Sequence, residues 1–72
     1  MNIIQAIQAA ENGAIITNNF LKLTNTYLMY IDSGVFTELH FNNNDNKFYP
    51  QGNIDRFNMA EILSTGWETY KQ

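Results

Sequence analysis

Apolar positions recur along this chain with two different periods. Ile3, Ile4, Ile7 and Ala10 fall on one face at helical spacing. Asn2 can cap that helix with its side-chain oxygen while Gln5 stands at the capping-box position, and Asn12 with Gly13 ends it. A helix is therefore expected over Ile3–Glu11. Residues 14–17, Ala-Ile-Ile-Thr, are short, branched and apolar, as in a buried strand. From Thr26 the period becomes two, over residues 26–32 and 35–41, with Ser33-Gly34 between them as a two-residue hairpin signal. In the first strand Tyr27, Met29 and Ile31 share a face opposite Leu28 and Tyr30. In the second, Val35, Thr37, Leu39 and Phe41 share a face opposite Phe36, Glu38 and His40. Both faces carry apolar or aromatic residues, which is the pattern of a sheet covered by helices on one side and by a partner subunit on the other.

Residues 42–46 are rich in Asn and Asp, whose side chains satisfy local backbone groups, and predict a loop. Phe48, Tyr49 and Pro50 return to an extended chain, with Pro50 marking an edge or a stop. Residues 51–53 then predict a turn, and residues 54–57 a short strand leading into a second helix. Asn58 caps that helix, and Glu61 reaches back to the Asn58 amide. Phe57 and Ile62 stand where a hydrophobic staple places them. Gly66 is expected to be the left-handed residue that ends the helix, with Trp67 folding back onto Ile62 and a strand over residues 67–70. No internal repeat or linker divides the chain. The expected architecture is a single domain, residues 1–72, of α+β class: a small antiparallel sheet with two short helices packed on one face.

The segment Glu-Ile-Leu-Ser-Thr-Gly-Trp-Glu, from Glu61 to Glu68, resembles the acidic-Leu-Leu-Ala-x-x-Trp-Glu signature near the C-terminus of the Thoeris anti-defence sponges. These are small phage proteins, in a family that also includes a reported anti-CRISPR member. The opening Ala-rich helix, Gly13 and following strand resemble the start of that family, so the likeness spans nearly the whole chain. Members often carry a Trp after the first strand where this chain has Phe20 or Leu21, and an Asp before the final Trp where it has Gly66. The resemblance implies a small α+β homo-oligomer, a dimer or tetramer. It further implies pockets between subunits that bind a cyclic nucleotide-derived immune signal, of the glycocyclic ADP-ribose type or a cyclic dinucleotide, without cleaving it.

Length and composition sharpen this picture. A chain of 72 residues has a high surface-to-volume ratio, and a core of that size rarely supplies more than about 3–5 kcal/mol. With no Cys there is no disulfide framework, and with one His and no Cys a structural zinc site is not expected. Oligomerisation is the remaining common support, and five Phe, four Tyr and one Trp suit a chain that buries surface against its own copies. Net charge is −3, and the basic residues Lys22, Lys47, Arg56 and Lys71 are dispersed. Nucleic-acid binding needs a basic stripe that this chain lacks, and a DNA mimic needs many more carboxylates. No apolar run is long enough to span a bilayer and no charged-then-apolar leader is present. The expectation is a cytoplasmic protein, acting, on the resemblance, inside an infected bacterial host.

Catalysis finds little footing in these residues. His40 shares a strand face with Glu38, which allows a His-carboxylate pair, but there is no Cys and no Ser in a nucleophile elbow. His40 reads as a partly exposed strand residue, and each glycine as a turn or helix end. Neither a catalytic residue, nor a metal, nor a cofactor is assigned. A nucleotide-like ligand needs flat apolar surface for a base, amides or carboxylates for base edges and ribose hydroxyls, and a cation for phosphate. Phe20, Tyr27 and Tyr49 offer rings; Asn18, Asn19, Asn53 and Asp55 offer hydrogen bonds; Lys22 and Arg56 offer cations. The candidate binding set is therefore Phe20, Lys22, Tyr27, Tyr49, Asn53, Asp55 and Arg56. Two other classes fit the same composition: a protein-protein inhibitor such as an anti-CRISPR, acting through an aromatic strand face, and a phage structural or assembly component.

Overall fold

The computed structural model describes residues 1–70. Helix α1 (Ile3–Glu11) leads into β1 (Ile15–Thr17), a single helical turn α2 (Asn19–Lys22), then β2 (Thr26–Asp32), β3 (Val35–Asn42) and β4 (Lys47–Ile54). Helix α3 (Met59–Leu63) and β5 (Glu68–Thr69) complete the chain. The five strands form one antiparallel sheet in the order β4-β3-β2-β1-β5. The α+β class and the antiparallel sheet agree with the sequence expectation.

Both capping boxes form. Asn2 Oδ1 accepts from the Gln5 amide at 2.9 Å while Gln5 Oε1 accepts from the Asn2 amide at 3.0 Å, and Asn58 and Glu61 repeat the exchange at 2.8 and 2.9 Å. At the β2–β3 hairpin Ser33 and Gly34 have φ of 48° and 79°. Positive φ at both central positions matches the right-handed twist of the flanking strands, so the two-residue turn closes without splaying them.

The core lies between α1 and one face of the sheet. Ala6 and Ala10 of α1 meet Ile16, Leu28, Phe36 and Trp67, all of them buried. Small residues on the inner stripe of α1 let the helix approach the sheet closely, while Ile4 on its outer side is 64% exposed. Register explains the selection: Ile16 pairs with Leu28, Tyr30 with Phe36, and Phe36 with Ile54, so these side chains project to one side. Full burial of side chains like Leu28 and Ile16 stabilises by about 1.5–3 kcal/mol each. Phe57 joins this core edge-on to Phe36 and Trp67, at ring separations of 5.5 and 5.7 Å.

Four sequence expectations need correction. Residues 51–53 are not a turn: they continue β4 through Ile54, and a bulge between the partners of Glu38 and Leu39 takes up the extra residue. An edge strand tolerates Pro50 and a bulge because its outer side owes no ladder hydrogen bonds. The strand expected over 54–57 reduces to Ile54, the last residue of β4. Gly66 does not adopt the left-handed conformation. Instead α3 ends on Ser64 in extended conformation, whose Oγ accepts from the Gly66 amide at 3.1 Å. Glycine leaves room there for a neighbouring side chain: a Cβ at Gly66 would lie 2.5 Å from Nδ2 of Asn19 and displace that exposed amide. Finally, the helical segments number three among the described residues, not two. The extra one, α2, is built by Asn18, whose Oδ1 accepts from the amides of Phe20 and Leu21 at 3.0 and 2.8 Å.

The final strand is also shorter than expected, Glu68–Thr69, and Trp67 is held from outside the sheet. Its amide donates to the Met1 carbonyl at 3.1 Å, and the Met1 nitrogen donates to the Trp67 carbonyl at 2.8 Å. Its indole Nε1 donates to the Glu61 carbonyl at 2.9 Å, which at the end of α3 also accepts from the Ser64 amide at 3.3 Å.

Candidate functional site

Among the described residues the sheet face opposite α1 meets only the single turn α2, at its margin beside Tyr27. Tyr27, Leu39, Phe41 and Phe48 project there, since Tyr27 pairs with Leu39 and Phe41 with Phe48, and Tyr70 reaches the same side beyond β5. The four rings form a second apolar cluster. Tyr27 meets Phe48 at 5.3 Å and Tyr70 at 5.4 Å, while Phe48 meets Phe41 at 5.1 Å and Tyr70 at 5.0 Å. Most are edge-to-face, the arrangement that aromatic quadrupoles favour. Leu39 is buried beneath them. The other half of this face is bare, with Met29 and Ile31 exposed at 41% and 46%.

Where the aromatic cluster meets the β5 edge, an open cleft of about 600 Å³ is lined by Met1, Lys22, Tyr27, Trp67, Glu68, Thr69 and Tyr70. Three separate local features assemble it. The Asn18 cap makes the turn that presents Lys22; the Met1–Trp67 pairing forms one wall; and alternation along β2 turns Tyr27 toward it. Lys22 is ion-paired with Glu68 of β5, the two side chains being 42% and 47% exposed. The cleft therefore combines three aromatic side chains, Tyr27, Trp67 and Tyr70, with one ion pair between side chains.

The seven candidate binding residues do not converge in one copy of the chain. Lys22 and Tyr27 share the cleft. Phe20 stands beside them on α2, 55% exposed. The other four belong to the opposite edge of the sheet or just past it. Asn53 Oδ1 accepts from the Thr37 hydroxyl at 3.2 Å on the open face. Asp55 and Arg56 follow β4, well exposed, with the guanidinium 3.5 Å from its neighbour's carboxylate. Tyr49 pairs with His40 on the helix side of the sheet, and its hydroxyl donates to the Asp45 carboxylate. That bond and the adjacent negative charge hold the Tyr49 phenol above its ordinary value of 10.0. His40 itself is exposed, and it pairs with Thr26 and Tyr49. Asn18 is fully buried, so its amide serves the fold, and its Nδ2 lacks a hydrogen-bond partner among the described residues.

Five residues of the cleft lining stand outside the candidate set read from the sequence: Met1, Trp67, Glu68, Thr69 and Tyr70. Strand alternation would have put Glu68 and Tyr70 on one face, but nothing local signals that this face meets α2. Among the described residues no helix is long and apolar enough to cross a membrane. Comparison of the chain with protein families, with curated proteins and with solved structures found no match.

Proposed function

We propose that this protein is a non-catalytic sequestering protein that retains a phosphorylated, base-containing small molecule in the Lys22–Tyr27 cleft, with a second copy of the chain completing the pocket. The observation that carries this reading is the placement of the Lys22 ammonium in one cleft with Tyr27, Trp67 and Tyr70, at the margin of an apolar sheet face. A ring gives a base somewhere to stack and the ammonium meets phosphate. The remaining candidates, Asn53, Asp55 and Arg56, are separated from the cleft by the width of the sheet in one copy. They can reach a ligand only across a boundary between copies.

Assembly through the open face suits the rest of the molecule. The principal extents of 31, 23 and 21 Å limit any face to roughly 700 Å², close to the ~800 Å² that each partner contributes to a standard interface. The open sheet face, with Met29 and Ile31 exposed beside the aromatic cluster, offers an apolar surface of that extent. The sequence resemblance then suggests the ligand class, a cyclic nucleotide-derived defence signal, and the role, a phage-encoded immune-evasion sponge that holds the signal intact.

The test is capture. The purified protein is incubated with a panel of cyclic nucleotides, washed and heated, and the released molecule is identified by mass spectrometry. Recovery of an intact nucleotide supports sequestration, and a degraded product would replace it with an enzymatic reading. Lys22→Ala is expected to abolish capture, and Arg56→Ala to weaken it while leaving the assembly intact.

A second reading has its own observation. The bare half of the sheet face, Met29 and Ile31, lies away from the cleft and offers a protein partner an apolar strip. Retention of none of the nucleotides, together with a stable complex with a host effector, would favour a protein-protein inhibitor of the anti-CRISPR kind.

A further inference from the structure

Lys22 and Glu68 occupy two elements that meet only in the folded chain, α2 and β5, and both line the cleft. Their contact pairs the two charged side chains of the lining, and among the described residues Lys22 is the one cationic side chain there, the Met1 ammonium being turned to the Thr65 and Trp67 carbonyls. An anion entering the cleft therefore finds the Lys22 ammonium already paired with a carboxylate. Exchanging one oxyanion for another at the same ammonium is close to an even trade, so a bare anion gains little. An uncharged nucleoside gains only its contact with the rings. A ligand with both parts adds stacking to the exchange and is held.

We propose that Glu68 is an internal competitor for the anion at Lys22, making retention conditional on a ligand that carries a base and a phosphate together. The class of ligand rests on the sequestration reading above; the competition itself rests on the ion pair. Both side chains are about half in water, where such pairs are weak, so the contact opens readily. The displaced carboxylate turns into solvent and leaves no buried charge behind. Glu68 thereby keeps the cleft clear of simple phosphate anions, which a free lysine beside these rings would collect.

Titration calorimetry at low ionic strength with three probes, inorganic pyrophosphate, adenosine and ADP, tests the proposal. Wild type is expected to hold ADP at least tenfold more tightly than either pyrophosphate or adenosine. Glu68→Gln, which preserves shape and removes the charge, is expected to raise pyrophosphate affinity about five- to tenfold. The gain should shrink as salt is added and vanish when Lys22→Met is combined with it. Thermal melting of each variant, read beside the titrations, confirms that a folded cleft is being measured. Three results would overturn the proposal: no gain in pyrophosphate binding in Glu68→Gln, a gain that survives loss of Lys22, or a wild type that binds pyrophosphate as tightly as ADP. If Glu68→Gln gains pyrophosphate while ADP binds no form of the protein, the competition stands and the nucleotide reading falls.

Discussion

Individual residues in this protein often serve a purpose other than the one their neighbours in sequence suggest. Gly66 is the clearest instance. Its place after a short helix suggests a left-handed cap, yet its backbone is ordinary, and what it provides is room for the Asn19 side chain. Gly66→Ala is accordingly expected to cost at most about 1 kcal/mol, the Asn19 amide having to swing toward solvent. Most of that loss should be recovered in an Asn19→Ala background, a coupling that a double-mutant cycle in urea measures. Were the two changes simply additive, steric crowding by Asn19 would be excluded as the cause. Tyr49 illustrates the reverse case, a side chain whose chemistry is set by one local bond. The Asp45 carboxylate favours the protonated phenol, so the folded-state pKa lies above the unfolded value near 10. The contribution of this bond is complete below that value and disappears as pH rises through the folded pKa. Spectrophotometric titration should show one phenol of the four Tyr ionising later than its unperturbed value, and Asp45→Asn should bring it back.

At the scale of elements, α2 shows how one buried amide can position a site. Asn18 is fully buried and satisfies two amides of a helical turn too short to stand alone. Asn18→Ala is expected to destabilise by about 1–2 kcal/mol, the usual range for a lost N-cap. Ligand capture should fall further than stability, because Lys22 loses its platform; amide hydrogen exchange confined to residues 19–22 would confirm local melting. Legibility in the sequence varies sharply among these elements. Both capping boxes and the Ser33-Gly34 hairpin could be read directly, since each depends on residues within a few positions of one another. The continuation of β4 through Gly52 could not, because turn-like residues are tolerated there only by virtue of the edge position and the bulge opposite Glu38 and Leu39. Likewise α2 carries no periodic apolar stripe, and only its cap betrays it.

The whole molecule is a sheet with a complete core on one face and an incomplete one on the other. Leu28 belongs to the complete side, buried with Ile16 and Trp67, and Leu28→Ala should cost about 2–5 kcal/mol in chemical denaturation. The open side makes a different demand. Light scattering is expected to find a dimer or larger assembly, and Met29→Lys is expected to yield a folded monomer, since a charge on a bare strand position burdens packing between copies and leaves the single-copy core untouched. A wild type that is monomeric at all accessible concentrations would defeat that expectation and the composite pocket with it. Of the candidate set read from the sequence, Lys22 and Tyr27 lie along one cleft, whereas Tyr49, Asn53, Asp55 and Arg56 lie at or just past the far edge of the sheet. By itself the chain's order of residues determined whatever short-range periodicity and capping control: where helices start, which strand positions face together, and that both sheet faces are apolar. Tertiary structure alone decided which face α1 covers, that Met1 and Trp67 pair, and that Lys22 meets Glu68. Those contacts join segments far apart in the chain, and their energy arises only when the sheet has closed and brought the edges within reach.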